Sequence, residues 1–126
     1  PLDRIASGGE LSRFLLALKV CLARGSDVLV MIFDEIDRGV GGATASAIGS
    51  RLARVADGAQ VLVVTHGPQV AAAGAHHLRI SKASGATTVE PLDETARLDE
   101  VARMLSGAEV TAEARAAAVK LLAVTA

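Results

Sequence analysis

Cysteine is nearly missing from this chain of 126 residues, where Cys21 stands alone. An internal disulfide is excluded, and a small core residue in a protein of a reducing compartment is the expectation for Cys21. Aromatic residues are almost as scarce, with Phe14 and Phe33 the only two, so an aromatic platform on which nucleic-acid bases could stack has no material here. Charge of one sign is missing too: 13 basic residues against 14 acidic ones give a formal net charge of −1. A dedicated DNA-binding surface needs a basic patch, so contact with nucleic acid is expected to be local or to lie outside this segment. Long apolar runs are absent. Phe14 to Leu18 and Val28 to Phe33 are the longest, far below the roughly 20 residues that span a bilayer, and no transmembrane helix is expected. The chain opens on Pro1-Leu2-Asp3 with neither a Met nor a charged-then-apolar leader, from which we expect no signal peptide and a piece divided from a longer protein.

What is present is apolar. Hydrophobic residues make up 51% and charged residues 21%, which excludes a disordered tail. The length suits one domain or a piece of one. A globule of this size hides only about two-thirds of the surface its unfolded chain exposes, so so apolar a chain is expected to bury part of its surface against a partner segment.

Strand-like and helix-like stretches alternate through the first two-thirds, the order of an α/β layer architecture. Ser7 to Glu10 reads S-x-x-E, a capping box, and Leu11, Leu15, Leu18 and Leu22 follow at helical spacing up to Gly25; a helix over about 8 to 24 is predicted. Val28 to Phe33 is a continuous apolar run, expected as an interior parallel strand covered on both faces. After the glycine-rich turn Gly39 to Gly42, the residues Ala45, Ile48, Leu52 and Val55 share one helical face that Asp57-Gly58 ends; a strand over Gln60 to Thr65 follows. Strand, helix and strand make a βαβ unit, whose right-handed crossover sets the two strands parallel and brings Asp34, Glu35 and His66 to one edge. Beyond it, His77 to Lys82 and Thr87 to Leu92 predict a hairpin through Ala83-Ser84-Gly85. Two helices should close the chain: one capped by Asp93, with Leu98, Val101, Ala102 and Leu105 inward and Gly107 at its end, and one capped by Thr111, with Leu121 and Leu122 inward.

Three local signals carry chemistry. Adjacent carboxylates at a strand's end point to different sides, so one of Asp34 and Glu35 can hold a hydrated Mg²⁺ while the other orients and deprotonates a water; a pair of solvated acids opening a loop gives the same dipeptide. Ser7-Gly8-Gly9 at a helix start can present backbone amides to a phosphate, or can be an ordinary capped helix. His66 can touch a developing phosphate charge or serve as a satisfied structural residue.

The three together, in this order and at compact spacing, resemble the C-terminal half of an ABC-type ATPase head. The stretches Ile5-Ala6-Ser7-Gly8-Gly9-Glu10-Leu11-Ser12-Arg13, Phe33-Asp34-Glu35-Ile36-Asp37-Arg38-Gly39-Val40-Gly41-Gly42 and Val64-Thr65-His66-Gly67-Pro68-Gln69-Val70-Ala71-Ala72 are similar to those of the RecN family of bacterial DNA repair proteins, relatives of the SMC proteins, as is the tail Val101 to Gly107. The resemblance covers nearly the whole chain. It implies an α/β fold, the C-terminal lobe of a P-loop NTPase head with a mostly parallel sheet flanked by helices, which uses ATP and Mg²⁺. It also implies an ATP-hydrolysing head for double-strand break repair and recombination, in which ATP is sandwiched between two heads of a homodimer. Ser7, Gly8, Gly9 and Glu10 match the signature motif that meets the nucleotide of the opposite head. Asp34 matches the Walker B aspartate that supports Mg²⁺, Glu35 the glutamate that activates water, and His66 the switch histidine at the γ-phosphate. DNA would be held through regions outside this chain, in the cytoplasm at the nucleoid.

The sequence departs from the pattern in four places. Transporter ATPases read Asp-Glu-Pro-Thr-Ser-Ala-Leu-Asp where this chain reads Asp-Glu-Ile-Asp, and Gly41 stands where SMC proteins carry a further aspartate, a role that Asp37 is not given. Ala6 and Gly67 stand where leucine is frequent. A P-loop is also missing: Lys19, Lys82 and Lys120 are the only lysines, and none lies in the G-x-x-x-x-G-K-[ST] context. The resemblance implies that an N-terminal half, joined through a long coiled coil, supplies it. Two other readings stay open. One is the head of another SMC-like or ABC protein, told apart by what is fused upstream. The other is a non-catalytic dimerisation module, which would bind ATP in the assembled head and never hydrolyse it.

Overall fold

The structure, a computed structural model, describes residues 30–83, 85–107 and 109–125. The predicted helix over 8 to 24, with Ser7, Gly8, Gly9, Glu10 and Cys21, lies outside the described residues.

The element order is β1 (Val30–Asp34), α1 (Gly42–Ala56), β2 (Gln60–Val64), α2 (Pro68–Ala72), β3 (Leu78–Ala83), β4 (Ala86–Pro91), α3 (Glu94–Ser106) and α4 (Ala112–Thr125). β1 and β2 pair in parallel from Val30↔Gln60 to Asp34↔Val64, as the βαβ pattern requires. Strand side chains alternate between faces, and the alternation decides what is covered. Met31 and Phe33 turn inward and pack with Ala45, Ile48 and Leu52 of α1, joined by Ile36 and Val70. The other face carries Val30, Ile32, Leu62 and Val64, which are 40 to 59% exposed. Among the described residues, α1 covers one side of the pair.

α1 follows its sequence pattern, with Ala45, Ile48, Gly49 and Leu52 buried and Asp57 as its C-cap. Gly49 is needed for close approach, because a Cβ there would lie 2.9 Å from the Cβ of Ala73 and 3.1 Å from the carbonyl oxygen of Gln69. α1 and the short α2 thus touch almost backbone to backbone. Pro68 starts α2 at a position where its missing N–H costs nothing.

β3 and β4 form an antiparallel hairpin, Leu78↔Pro91 to Ala83↔Ala86, turned at Gly85 with φ +82°. The sheets are separate: among the described residues, one parallel pair and one antiparallel pair. In the tail, Asp93 caps α3 by accepting from the Ala96 N–H at 2.8 Å, Gly107 ends it at φ +82°, and Thr111 accepts from the Ala114 N–H at 3.1 Å. α3 and α4 close on Val101, Ala102 and Ala118, with Leu98, Leu121 and Leu122 packed around them. Leu105 is the exception to the predicted inward face, being 36% exposed near the end of α3. Arg97 docks this helical hairpin onto the core by donating to the carbonyl oxygens of Ala72 and Gly74 at 2.8 and 2.5 Å.

One buried charge belongs to this tail. Glu100 is 6% exposed and accepts from Arg103 through both oxygens, at 3.0 and 2.5 Å. The Arg103 fork holds its carboxyl below the usual glutamate value, outweighing the upward push of burial, with Arg79 and His77 adding to the downward pull.

Two predictions follow from this packing. Ile48→Ala removes a buried side chain from the main core and should cost about 2 to 5 kcal/mol, read by chemical denaturation. Because the folded pKa of Glu100 is depressed, its stabilisation is complete above the unfolded value of about 4.3 and is lost as pH falls through the folded pKa. Glu100→Gln should therefore lower Tm at pH 7 and bring the two Tm curves together at acid pH; parallel curves would show that Glu100 contributes no pH-dependent stability.

Candidate functional site

The site is built by the register of β1 and β2. Asp34 pairs with Val64, and the chain continues past each strand at the same carboxyl edge, into Glu35 on one side and Thr65-His66 on the other. The Glu35 N–H donates to the carbonyl oxygen of Val64 at 2.9 Å, so the second acid is tied directly to the strand that leads to His66. Open α/β sheets bind ligands at this edge. Asp34, Glu35 and His66 are all exposed there.

Glu35 is the one non-glycine among the described residues with a positive φ, at +46°. That left-handed conformation costs a residue with a Cβ of order 1 kcal/mol or more. It stands at the strand's end, where the chain leaves β1 for the turn. A turn follows, in which the Arg38 N–H donates to the Glu35 carbonyl oxygen at 3.0 Å and the Val40 N–H to the Asp37 carbonyl oxygen at 3.1 Å. Arg38 also lays its guanidinium 3.3 Å from the Glu35 carboxylate. Both side chains of that ion pair are open to water, so it is worth little energetically and leaves Glu35 free to turn to another partner.

Asp37 is placed differently. It is 6% exposed, and its Oδ2 accepts from the Thr65 hydroxyl at 2.6 Å. The Thr65 Oγ1 in turn accepts from the Gly67 N–H at 2.8 Å. His66 lies between those two residues. Gly67, the residue standing where leucine is frequent in the wider superfamily, now has a physical reason: a Cβ there would fall 2.1 Å from Asp37 Oδ2. The carboxylate of Asp37 fills the room that a side chain at 67 needs.

Of the residues singled out in the sequence, the fold brings Asp34, Glu35 and His66 to one edge. Ser7, Gly8, Gly9 and Glu10 fall outside the described residues. The Asp37, Thr65 and Gly67 chain was not foreseen, and its only trace in the sequence is that Thr65 and Gly67 flank His66 while Asp37 follows Glu35 by two positions. Among the described residues no group of three or more His, Cys, Asp or Glu is arranged to hold a metal by itself. A hydrated Mg²⁺ does not need one, since it takes one or two carboxylates and completes its shell with water and substrate phosphate; the exposed Asp34 carboxylate suits that role. No helix among the described residues is long and apolar enough to cross a membrane.

No family model matches the chain. It is 50% identical over 126 residues to the DNA repair protein RecN of Xylella fastidiosa strain Temecula1, covering 97% of this chain and 23% of that protein. It is 51% identical over 124 residues to RecN of Mycobacterium leprae, covering 97% of this chain and 21% of the relative. With RecN of Bacillus subtilis it shares 47% identity over 114 residues, 87% of this chain and 20% of the relative. The chain thus spans only 20 to 23% of the length of these curated relatives. A solved structure from work on ATP-driven dimerization and DNA-stimulated activation of SMC ATPases superposes with a TM-score of 0.62 at 19% identity, over 76% of this chain and 60% of that one. The chain shares the α/β fold of that structure, a parallel strand pair with helices packed on it.

The packing of Gly67 against Asp37 yields a prediction. Gly67→Ala should cost about 1 to 3 kcal/mol by forcing the carboxylate aside. In an Asp37→Ala background the same substitution should cost much less, because nothing then occupies the space. Denaturation of the two single variants and the double variant measures this; additive costs would place the strain elsewhere.

Proposed function

We propose, for a chain that matches the C-terminal part of RecN, that it forms the C-terminal lobe of the ATPase head of a DNA double-strand break repair and recombination protein. The observation that carries this reading is the β1–β2 register, which sets the acid pair and the histidine on one sheet edge. The relatives are named as DNA repair proteins, and the SMC ATPase of like fold is described by ATP-driven dimerization. The lobe supplies half of the chemistry. A P-loop from the N-terminal half of the full-length protein completes the ATP site, and the signature residues Ser7, Gly8, Gly9 and Glu10 meet the nucleotide of a second head, so that ATP is sandwiched between two copies. DNA is engaged through regions outside this chain.

In this reading Asp34 would hold Mg²⁺, directly or through a water, and the ion when bound neutralises charge on the β- and γ-phosphates. Glu35 accepts the proton of the water that attacks the γ-phosphorus. As the new P–O bond forms, the bond to the β–γ bridging oxygen breaks, and ADP and phosphate leave. His66 donates a hydrogen bond to a γ-phosphate oxygen and stabilises charge there. The two acids divide the work, one serving a cation and the other a water.

The test is Glu35→Gln in the full-length protein. Loss of the general base should slow ATP hydrolysis by about 10² to 10⁴ while nucleotide binding stays intact. Wild-type turnover in that variant would remove Glu35 from the reaction, and binding without hydrolysis in the wild type would make the lobe a dimerisation module.

A further inference from the structure

Asp37 has no place in the chemistry above, yet it is one of only two charged or polar side chains buried among the described residues. The other, Glu100, has two arginines near it. Asp37 has a single side-chain partner, the Thr65 hydroxyl at 2.6 Å, while its Oδ1 is buried without a partner among the described residues. Burying a carboxylate in this way is costly, and its one strong, charge-assisted bond is spent on the residue next to His66. The hydroxyl that donates to Asp37 accepts from the N–H of Gly67, the residue after His66. His66 is therefore the middle residue of a loop closed by its two neighbours and tied, through Thr65, to the turn that Glu35 begins.

We propose that Asp37 is a positioning residue for His66. Acting through Thr65 and Gly67, it locks the backbone on both sides of the histidine and holds it in register with the Asp34-Glu35 end. The exposed His66 ring then owes its placement to its backbone. Gly67 is the condition for the device, because a side chain there would expel the carboxylate. Asp37 acts only through Thr65 and Gly67. Its effect is to keep the acid end and the histidine end moving as one body. This inference rests on the role of His66 in ATP hydrolysis only for its catalytic consequence; the mechanical link stands on the geometry.

The full-length protein with Thr65→Val, Thr65→Ser, Asp37→Asn and His66→Ala tests it through two readouts. In steady-state ATPase assays Thr65→Val should lower kcat by about 10- to 100-fold, the scale of a small misplacement of a reacting group, with KM for ATP nearly unchanged. Thr65→Ser, which keeps the hydroxyl, should restore most of kcat, and Thr65→Val should cause no further loss in a His66→Ala background. Hydrogen exchange at the Gly67 amide, independent of turnover, should quicken about tenfold in Thr65→Val, as the loss of one hydrogen bond requires, and should quicken in Asp37→Asn but not in Thr65→Ser. Unchanged exchange in both Thr65→Val and Asp37→Asn overturns the inference whatever the ATPase does, as does a kcat loss from Thr65→Val that is equally large without His66. If exchange responds as expected but His66→Ala leaves hydrolysis untouched, the link stands and the function assigned to His66 falls.

Discussion

One backbone register governs this structure. Because Asp34 lies opposite Val64 and Glu35 bonds to the Val64 carbonyl, residues about thirty positions apart come to one edge. A slip of one residue would turn Met31 and Phe33 away from α1 and put Val30 and Ile32 in their place. The core and the site therefore depend on the same alignment. The burial of Met31 and Phe33 against Ala45, Ile48 and Leu52 selects the register, and the register sets the acids and the histidine on one sheet edge.

Among the described residues the packing is one-sided. α1 covers one face of the parallel pair and leaves Val30, Ile32, Leu62 and Val64 exposed, while the helical hairpin of α3 and α4 has its own small core around Val101, Ala102 and Ala118. α2 joins the two, through the close contact at Gly49 and the two bonds that Arg97 makes to the end of α2. α2 follows His66 directly. The histidine thus sits where the βαβ unit meets the tail, held by Asp37 on one side and by the start of a docked helix on the other.

Much of this was legible beforehand. The helical face of Ala45, Ile48, Leu52 and Val55, the caps at Asp93 and Thr111, the end at Gly107 and the hairpin turn at Gly85 are local matters, settled by spacing and by the backbone preferences of a few residue types, and each stands where the pattern put it. The parallel pairing was legible at one remove, since a βαβ crossover allows little else. What stayed hidden was long-range. Nothing about Asp37 as a residue type announces that it is buried, and nothing about Gly67 announces that its missing side chain makes room for a carboxylate thirty positions earlier. Leu105, in the last turn of α3, is 36% exposed and is not an inward residue.

The sequence alone determined the βαβ unit, the hairpin and the two closing helices, though not the short α2, together with the residue types at the carboxyl edge and the family that the motifs resemble, because these depend on residue identity and spacing along the chain. Only the tertiary structure decided which face of the parallel pair α1 covers, the left-handed turn of Glu35 and the Asp37, Thr65 and Gly67 connection. Those depend on distances across space, and a buried polar side chain takes whatever partner the packed fold brings within reach.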